Sequence, residues 1–128
     1  MNTAFYSGSF DPFTNGHLHV VIKSAQLFDK VVIGIGVNPN KARKFDNDLM
    51  RDAIEKVLIR ENLSSKVSVI TYDNLSIDTA LENNANFLVR GIRNGMDYEY
   101  EENMASINEE LSCGLDTIYI RSRGSWKY

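Results

Sequence analysis

The sequence predicts an α/β fold in which five parallel strands form a doubly wound sheet with helices on both faces. Short runs rich in β-branched and aromatic residues alternate with longer stretches of helical spacing along the chain. That alternation implies right-handed crossovers and a parallel sheet covered on both sides. No internal repeat, low-complexity tract or Pro/Gly-rich linker interrupts the 128 residues, so a single domain is placed at 1–128.

The elements follow in order. Residues 3–6 make the first strand and 18–28 the first helix. Residues 31–37 form the second strand. Met50, Ile54, Val57 and Leu58 share one face of a second helix, for which Asp46 is the N-cap. The third strand spans 67–72, and a short third helix spans 77–84. Residues 87–89 form the fourth strand. Tyr100, Met104, Ile107 and Leu111 share a face of another helix, and 117–120 close the sheet.

Bulk properties exclude several classes. Hydrophobic residues make up 43% and charged residues 24%, the balance of an ordinary globular chain. The net charge of -3 supplies no basic field for nucleic acid. No apolar run reaches membrane-spanning length, and the first residues do not read as a signal peptide, so a cytoplasmic protein is expected. Cys113 is the single cysteine, which leaves no intrachain disulfide.

In open parallel sheets ligands bind outside the carboxyl ends of the strands. After the first strand come Ser7-Gly8-Ser9-Phe10-Asp11-Pro12 and Thr14-Asn15-Gly16-His17. Gly8 allows close backbone approach and Ser9 offers a hydroxyl. Gly16 and His17 open a helix whose free N–H groups favour a phosphate. A long turn with His17 as a cap fits the same residues, and spacing leaves both readings open. After the second strand, Lys41, Arg43 and Lys44 either meet an anionic ligand or form a solvated basic loop. After the fourth, Arg90-Gly91-Ile92-Arg93 suits a phosphate fork, or else structural pairing with Asp97, Glu99 or Glu101. His17 and His19 lie two apart on a helix with no companion Cys or third His, which rules against a metal site. Taken together, the strand ends describe a site for a polyphosphate and a second anionic substrate.

The stretch "GSFDPFTNGH" resembles the nucleotidyltransferase signature in which (H/T)-x-G-H follows a G-[ST]-F-D-P turn, here with Thr14 in first place. Together with "FDKVVIGIGVNPNK", "LVRGIRNGMDYEYE" and "ASINEEL", it makes the chain similar to the phosphopantetheine adenylyltransferase family over essentially its whole length. The resemblance implies a Rossmann-like fold and transfer of an adenylyl group from ATP to 4'-phosphopantetheine, giving dephospho-coenzyme A and pyrophosphate. Magnesium would accompany the ATP, and the assembly would be a homohexamer. His17 and Lys41 would be catalytic. Ser9, Lys41, Leu75, Ser76 and Arg90 would bind the acceptor. Ser9, Phe10, His17, Gly91, Arg93 and Glu101 would bind ATP.

Three departures stand out. His19 occupies a usually acidic position, and Ser76 replaces a commoner apolar residue. The family continues past an aromatic like Tyr128 into a serine-rich motif opening another helix, so the chain is expected to lack that C-terminal helical part. Two other readings stand beside this one. A sibling transferase would use an acceptor such as nicotinamide mononucleotide, against which Thr14 and residues 90–93 argue. A non-catalytic nucleotide-binding remnant would fit the missing tail.

Overall fold

The computed structural model describes residues 1–38, 40, 42–92 and 115–121. Their elements are β1 (Thr3–Gly8), α1 (Asn15–Leu27), β2 (Lys30–Gly36), α2 (Asn47–Arg60), β3 (Val67–Tyr72), α3 (Ser76–Glu82), β4 (Phe87–Ile92) and β5 (Asp116–Arg121). The strands form one sheet in the order β3-β2-β1-β4-β5, and every neighbouring pair is parallel. The expected five-stranded α/β sheet is therefore present. The helix expected around 100–111, the site candidates Lys41, Arg93 and Glu101, and Cys113 lie outside the described residues.

Strand alternation sorts the core onto two faces. Ala4 and Tyr6 of β1 join Val31, Ile33 and Val89 beneath Val20, Val21 and Ala25 of α1 and Ile54 and Leu58 of α2. Phe5, Val32 and Leu88 point the other way, against Ile77 and Ala80 of α3. Helices thus cover both faces, as the alternating pattern requires.

Several element ends differ from expectation, among them the start of α1, at Asn15 and not 18, and two kinds of difference have a local cause. The ladder carries β1 on through Ser7 and Gly8, paired with Gly34 and Ile35. It carries β4 through Arg90, Gly91 and Ile92, paired with Tyr119, Ile120 and Arg121. Residues expected just beyond the strands are therefore the last residues within them. The third helix stops at Glu82 instead of 84 because Asn84 takes a left-handed conformation, φ 61°. Its N–H reaches the carbonyl of Leu81, and that of Ala85 reaches Ala80, a paired closure that ends the helix. Asn62 (φ 58°) closes α2 in the same manner.

Gly34 shows how tightly the layers fit. A Cβ there would lie 2.3 Å from Cζ of Phe5, whose ring is wholly buried, and 3.0 Å from the Tyr72 ring.

Candidate active site

The strand order reverses between β1 and β4, and the site is built around that boundary. On the α3 side of the sheet, Arg90 of β4 reaches across to β1. Its Nη1 donates to the Ser7 carbonyl at 3.1 Å and to the Ser7 hydroxyl. This bond explains why a guanidinium tolerates the end of a half-buried strand. The alternative pairing with acidic residues 97–101 falls outside the described residues.

Also on that side, a cavity of about 300 Å³ opens at the ends of β2 and β3, lined by Gly36, Asn38, Tyr72, Asn74 and Ser76 among others. Ser76 opens α3, and its hydroxyl pairs with the Tyr72 hydroxyl at 2.8 Å. That pairing accommodates a serine where the resemblance leads one to expect an apolar residue. Leu75, the residue before α3, is 64% exposed and does not line the cavity.

On the α1 side lie Gly8, Phe10, His17 and Gly91. Thr14 caps α1 reciprocally with His17. The Thr14 hydroxyl accepts from the His17 N–H at 3.4 Å, and His17 Nδ1 accepts from the Thr14 N–H at 2.9 Å. An Nδ1 that accepts carries no proton, so the neutral ring has its hydrogen on Nε2. The cap reading of His17 therefore holds: one ring nitrogen serves the cap, and in the neutral ring the other carries the hydrogen.

Aromatic neighbours orient that ring. Phe10 meets it edge-on with centroids 5.0 Å apart, and Phe13 and Tyr6 stand at 5.6 and 6.5 Å. Phe10 is 2% exposed, so its ring is closed off from solvent. Its φ of 46° lies in the left-handed region, which costs a bulky residue on the order of 1–3 kcal/mol. Gly8 is needed here for space: a Cβ would stand 3.1 Å from the tip of the Phe10 ring. Gly91 likewise lets β4 approach α1, since a Cβ would meet a Val20 methyl at 3.0 Å. Both glycines make room for a neighbouring side chain within the protein. Ser9 is exposed at the mouth of the loop. His19 is buried within α1, away from the turn that carries His17.

In the loop after β2, Lys44 is exposed, as a solvated loop would have it, but Arg43 departs from both sequence readings. Arg43 is neither solvated nor presented to a ligand. It donates to the carbonyls of Ser9, Phe10 and Phe45, with side-chain exposure of 14%. Asp11 returns the connection, accepting from the N–H groups of Lys44 and Phe45 at 2.8 Å each. The Lys44 N–H is the main cause that holds the Asp11 carboxyl below its ordinary 3.8. The Phe45 N–H and the charges of Arg43 and Lys44 add to it, and partial burial opposes it. Because the folded value is depressed, the carboxylate's contribution is complete above 3.8 and fades as pH falls through the folded value. The amide proton shifts of Lys44 and Phe45 are therefore expected to titrate together with a midpoint below 3.8. A midpoint at or above that value, read by NMR, would show the carboxylate to be unanchored.

The sequence reading missed the aromatic setting of His17 and the Asp11–Arg43 tie. The crowding of Tyr6, Phe10 and Phe13 around one histidine was a usable signal for the first. Nothing local marked the second, since its partners stand more than thirty residues apart.

A parallel sheet with a reversal point, a histidine at a helix start on one face and an arginine on the other is the arrangement of a nucleotidyltransferase. Consistent with this, the model of the cytidylyltransferase-like family matches residues 5–125. A phosphopantetheine adenylyltransferase of Rhizobium meliloti (strain 1021) is 43% identical over 124 residues, covering 94% of this chain and 75% of that protein. One from Agrobacterium fabrum (strain C58 / ATCC 33970) is 39% identical over 124 residues, with 94% and 74% covered. The chain belongs to the phosphopantetheine adenylyltransferase family. Among solved structures, a bifunctional NMN adenylyltransferase/ADP ribose pyrophosphatase from Francisella tularensis superposes with a TM-score of 0.71 at 21% identity. That match covers 93% of this chain and 37% of that one, and it speaks to the fold alone.

Proposed function

We propose that this chain transfers an adenylyl group from ATP to 4'-phosphopantetheine, releasing pyrophosphate and forming dephospho-coenzyme A. Family membership supports the reaction. The observation that carries the division of the site is the alternation at the end of β4. Arg90 turns to the α3 side, where the cavity lies, and Gly91 to the α1 side, where His17 lies.

Arg90 and Ser9 hold the acceptor phosphate, and the cavity beside Ser76 takes the arm that follows it. The exposed Leu75 offers an apolar edge to the same arm. The nucleotide lies over Gly91 and the backbone of Phe10, with its phosphates at the start of α1. Lys41, Arg93 and Glu101 stay in this proposal on sequence resemblance.

In the chemical step an oxygen of the acceptor phosphate attacks the α-phosphorus of ATP in line. A new O–P bond forms, the bond to the bridging oxygen breaks, and pyrophosphate leaves with that electron pair. The acceptor is already an anion, so no general base is needed, and the protein's task is positioning and charge stabilisation. His17 Nε2–H serves as a donor to the phosphate oxygens as charge develops on them.

A divalent metal, magnesium in this proposal, enters with the ATP phosphates as part of the substrate. Among the described residues no cluster of three or more His, Cys, Asp or Glu side chains could hold an ion. The homohexamer and the cytoplasmic setting belong to the same proposal. Light scattering reads the assembly, and a monomer's mass would sink the hexamer. Among the described residues no helix is long and apolar enough to cross a membrane.

The purified chain is expected to release pyrophosphate from ATP when phosphopantetheine is present and to release none without it. A coupled pyrophosphate assay with nicotinamide mononucleotide as the competing acceptor decides the matter. Turnover with the mononucleotide alone would overturn the choice of acceptor.

A further inference from the structure

We infer that Arg43 is a positioning residue for adenylyl transfer: its guanidinium fork sets the two peptide groups that flank Phe10, and with them the loop that presents Ser9. The inference rests on the transferase reading above. Arg43 Nη1 donates to the Ser9 carbonyl at 2.8 Å and Nη2 to the Phe10 carbonyl at 3.3 Å. The first carbonyl belongs to the peptide before Phe10 and the second to the peptide after it. The orientation of those two planes is the φ and ψ of Phe10, the residue held at φ 46°. Left-handed backbone at a bulky residue persists only where its surroundings over-determine it. Here the fork does so from one side, and the Tyr6, Phe13 and His17 rings do so from the other.

The fork is itself anchored. Arg43 Nε donates to the Phe45 carbonyl at 2.8 Å, and Nη2 lies 3.9 Å from the Asp11 carboxylate. Asp11 in turn accepts from the Lys44 and Phe45 N–H groups. The loops leaving β1 and β2 are thus joined in both directions. With three carbonyls and a carboxylate around it, the guanidinium's charge is answered inside the protein, which argues against a direct role in binding phosphate. Lysine cannot replace it, because an ammonium is a point charge without a planar fork. The consequence for the reaction is geometric: Ser9 and the backbone of Phe10 sit where two phosphates must align, and small misplacements there are costly.

The test compares Arg43→Ala and Arg43→Lys with the wild-type chain in the pyrophosphate assay, well below each melting temperature. Both variants are expected to lose roughly 10- to 100-fold in kcat, with the Michaelis constant for ATP nearly unchanged. Wild-type kcat in Arg43→Lys would overturn the inference, because charge alone would then suffice. Full kcat in Arg43→Ala would overturn it as well. Should Arg43→Ala not fold, Asp11→Asn takes its place and is expected to show the same kcat loss; a full rate there counts against the tie. Amide hydrogen exchange at Lys44 and Phe45 gives a readout independent of activity. Faster exchange in Arg43→Lys upholds the clamp, and unchanged exchange refutes it. A wild-type chain that turns over nothing would instead sink the transferase reading, and the exchange measurement would then decide the clamp alone.

Discussion

His17→Ala is expected to lower kcat by roughly a hundred- to thousand-fold, with only a small change in the Michaelis constant for phosphopantetheine. A donor whose bond strengthens as charge grows on phosphate oxygens acts on the transition state more than on the bound substrate. The geometry adds a complication that can be separated. His17 Nδ1 also closes the cap of α1 by accepting from the Thr14 N–H, and losing a capping partner costs about 1 kcal/mol. His17→Glu keeps an acceptor at the third helical position, where glutamate serves the reciprocal cap, but supplies no donor to phosphate. Its melting temperature should lie near that of the wild type while its kcat stays low. If the glutamate variant regained activity along with stability, His17 would be a helix cap and nothing more.

Gly34→Ala is expected to be the most damaging single methyl in the sheet. Its Cβ would sit 2.3 Å from Phe5 Cζ and 2.6 Å from the neighbouring ring carbon. Phe5 is fully buried and also meets Tyr72 edge-on at 5.7 Å, so its ring has no open space to enter. Overpacking of this kind costs about 1–3 kcal/mol, and more where the neighbour cannot move. Gly36→Ala makes the control: a Cβ there meets the Tyr72 hydroxyl at 3.3 Å, the far end of a side chain at the edge of the cavity. Thermal unfolding of the two variants should rank them clearly, with Gly34→Ala melting several degrees lower. Equal melting temperatures would show that the Phe5–Tyr72 pair yields more readily than its burial suggests.

Much of this was legible along the chain. The alternation of β-branched runs with helical stretches was enough for five parallel strands and for helices on both faces, because that periodicity is itself a record of which side each residue buries. The Asp46 cap was legible for the same local reason: the residue and its partners, the Asp48 and Leu49 N–H groups, are three positions apart at most. The strand ends were less so. Ser7, Gly8 and Arg90 read as loop residues because glycine and arginine disfavour strands, yet ladder bonds to neighbouring strands overrode that preference.

By itself the sequence determined the fold class and the family. Both are written in periodicity or in short runs of residues whose spacing is local. Only the tertiary structure decided what those residues do for one another. It showed that Gly8 and Gly91 also make room for Phe10 and Val20, put the proton of a neutral His17 on Nε2, and converted Arg43 from a loop cation into a half-buried fork. The reason is physical. Hydrogen-bond partners and ring contacts across two loops depend on distances in space, and a chain separation of more than thirty residues leaves no trace of them in local pattern.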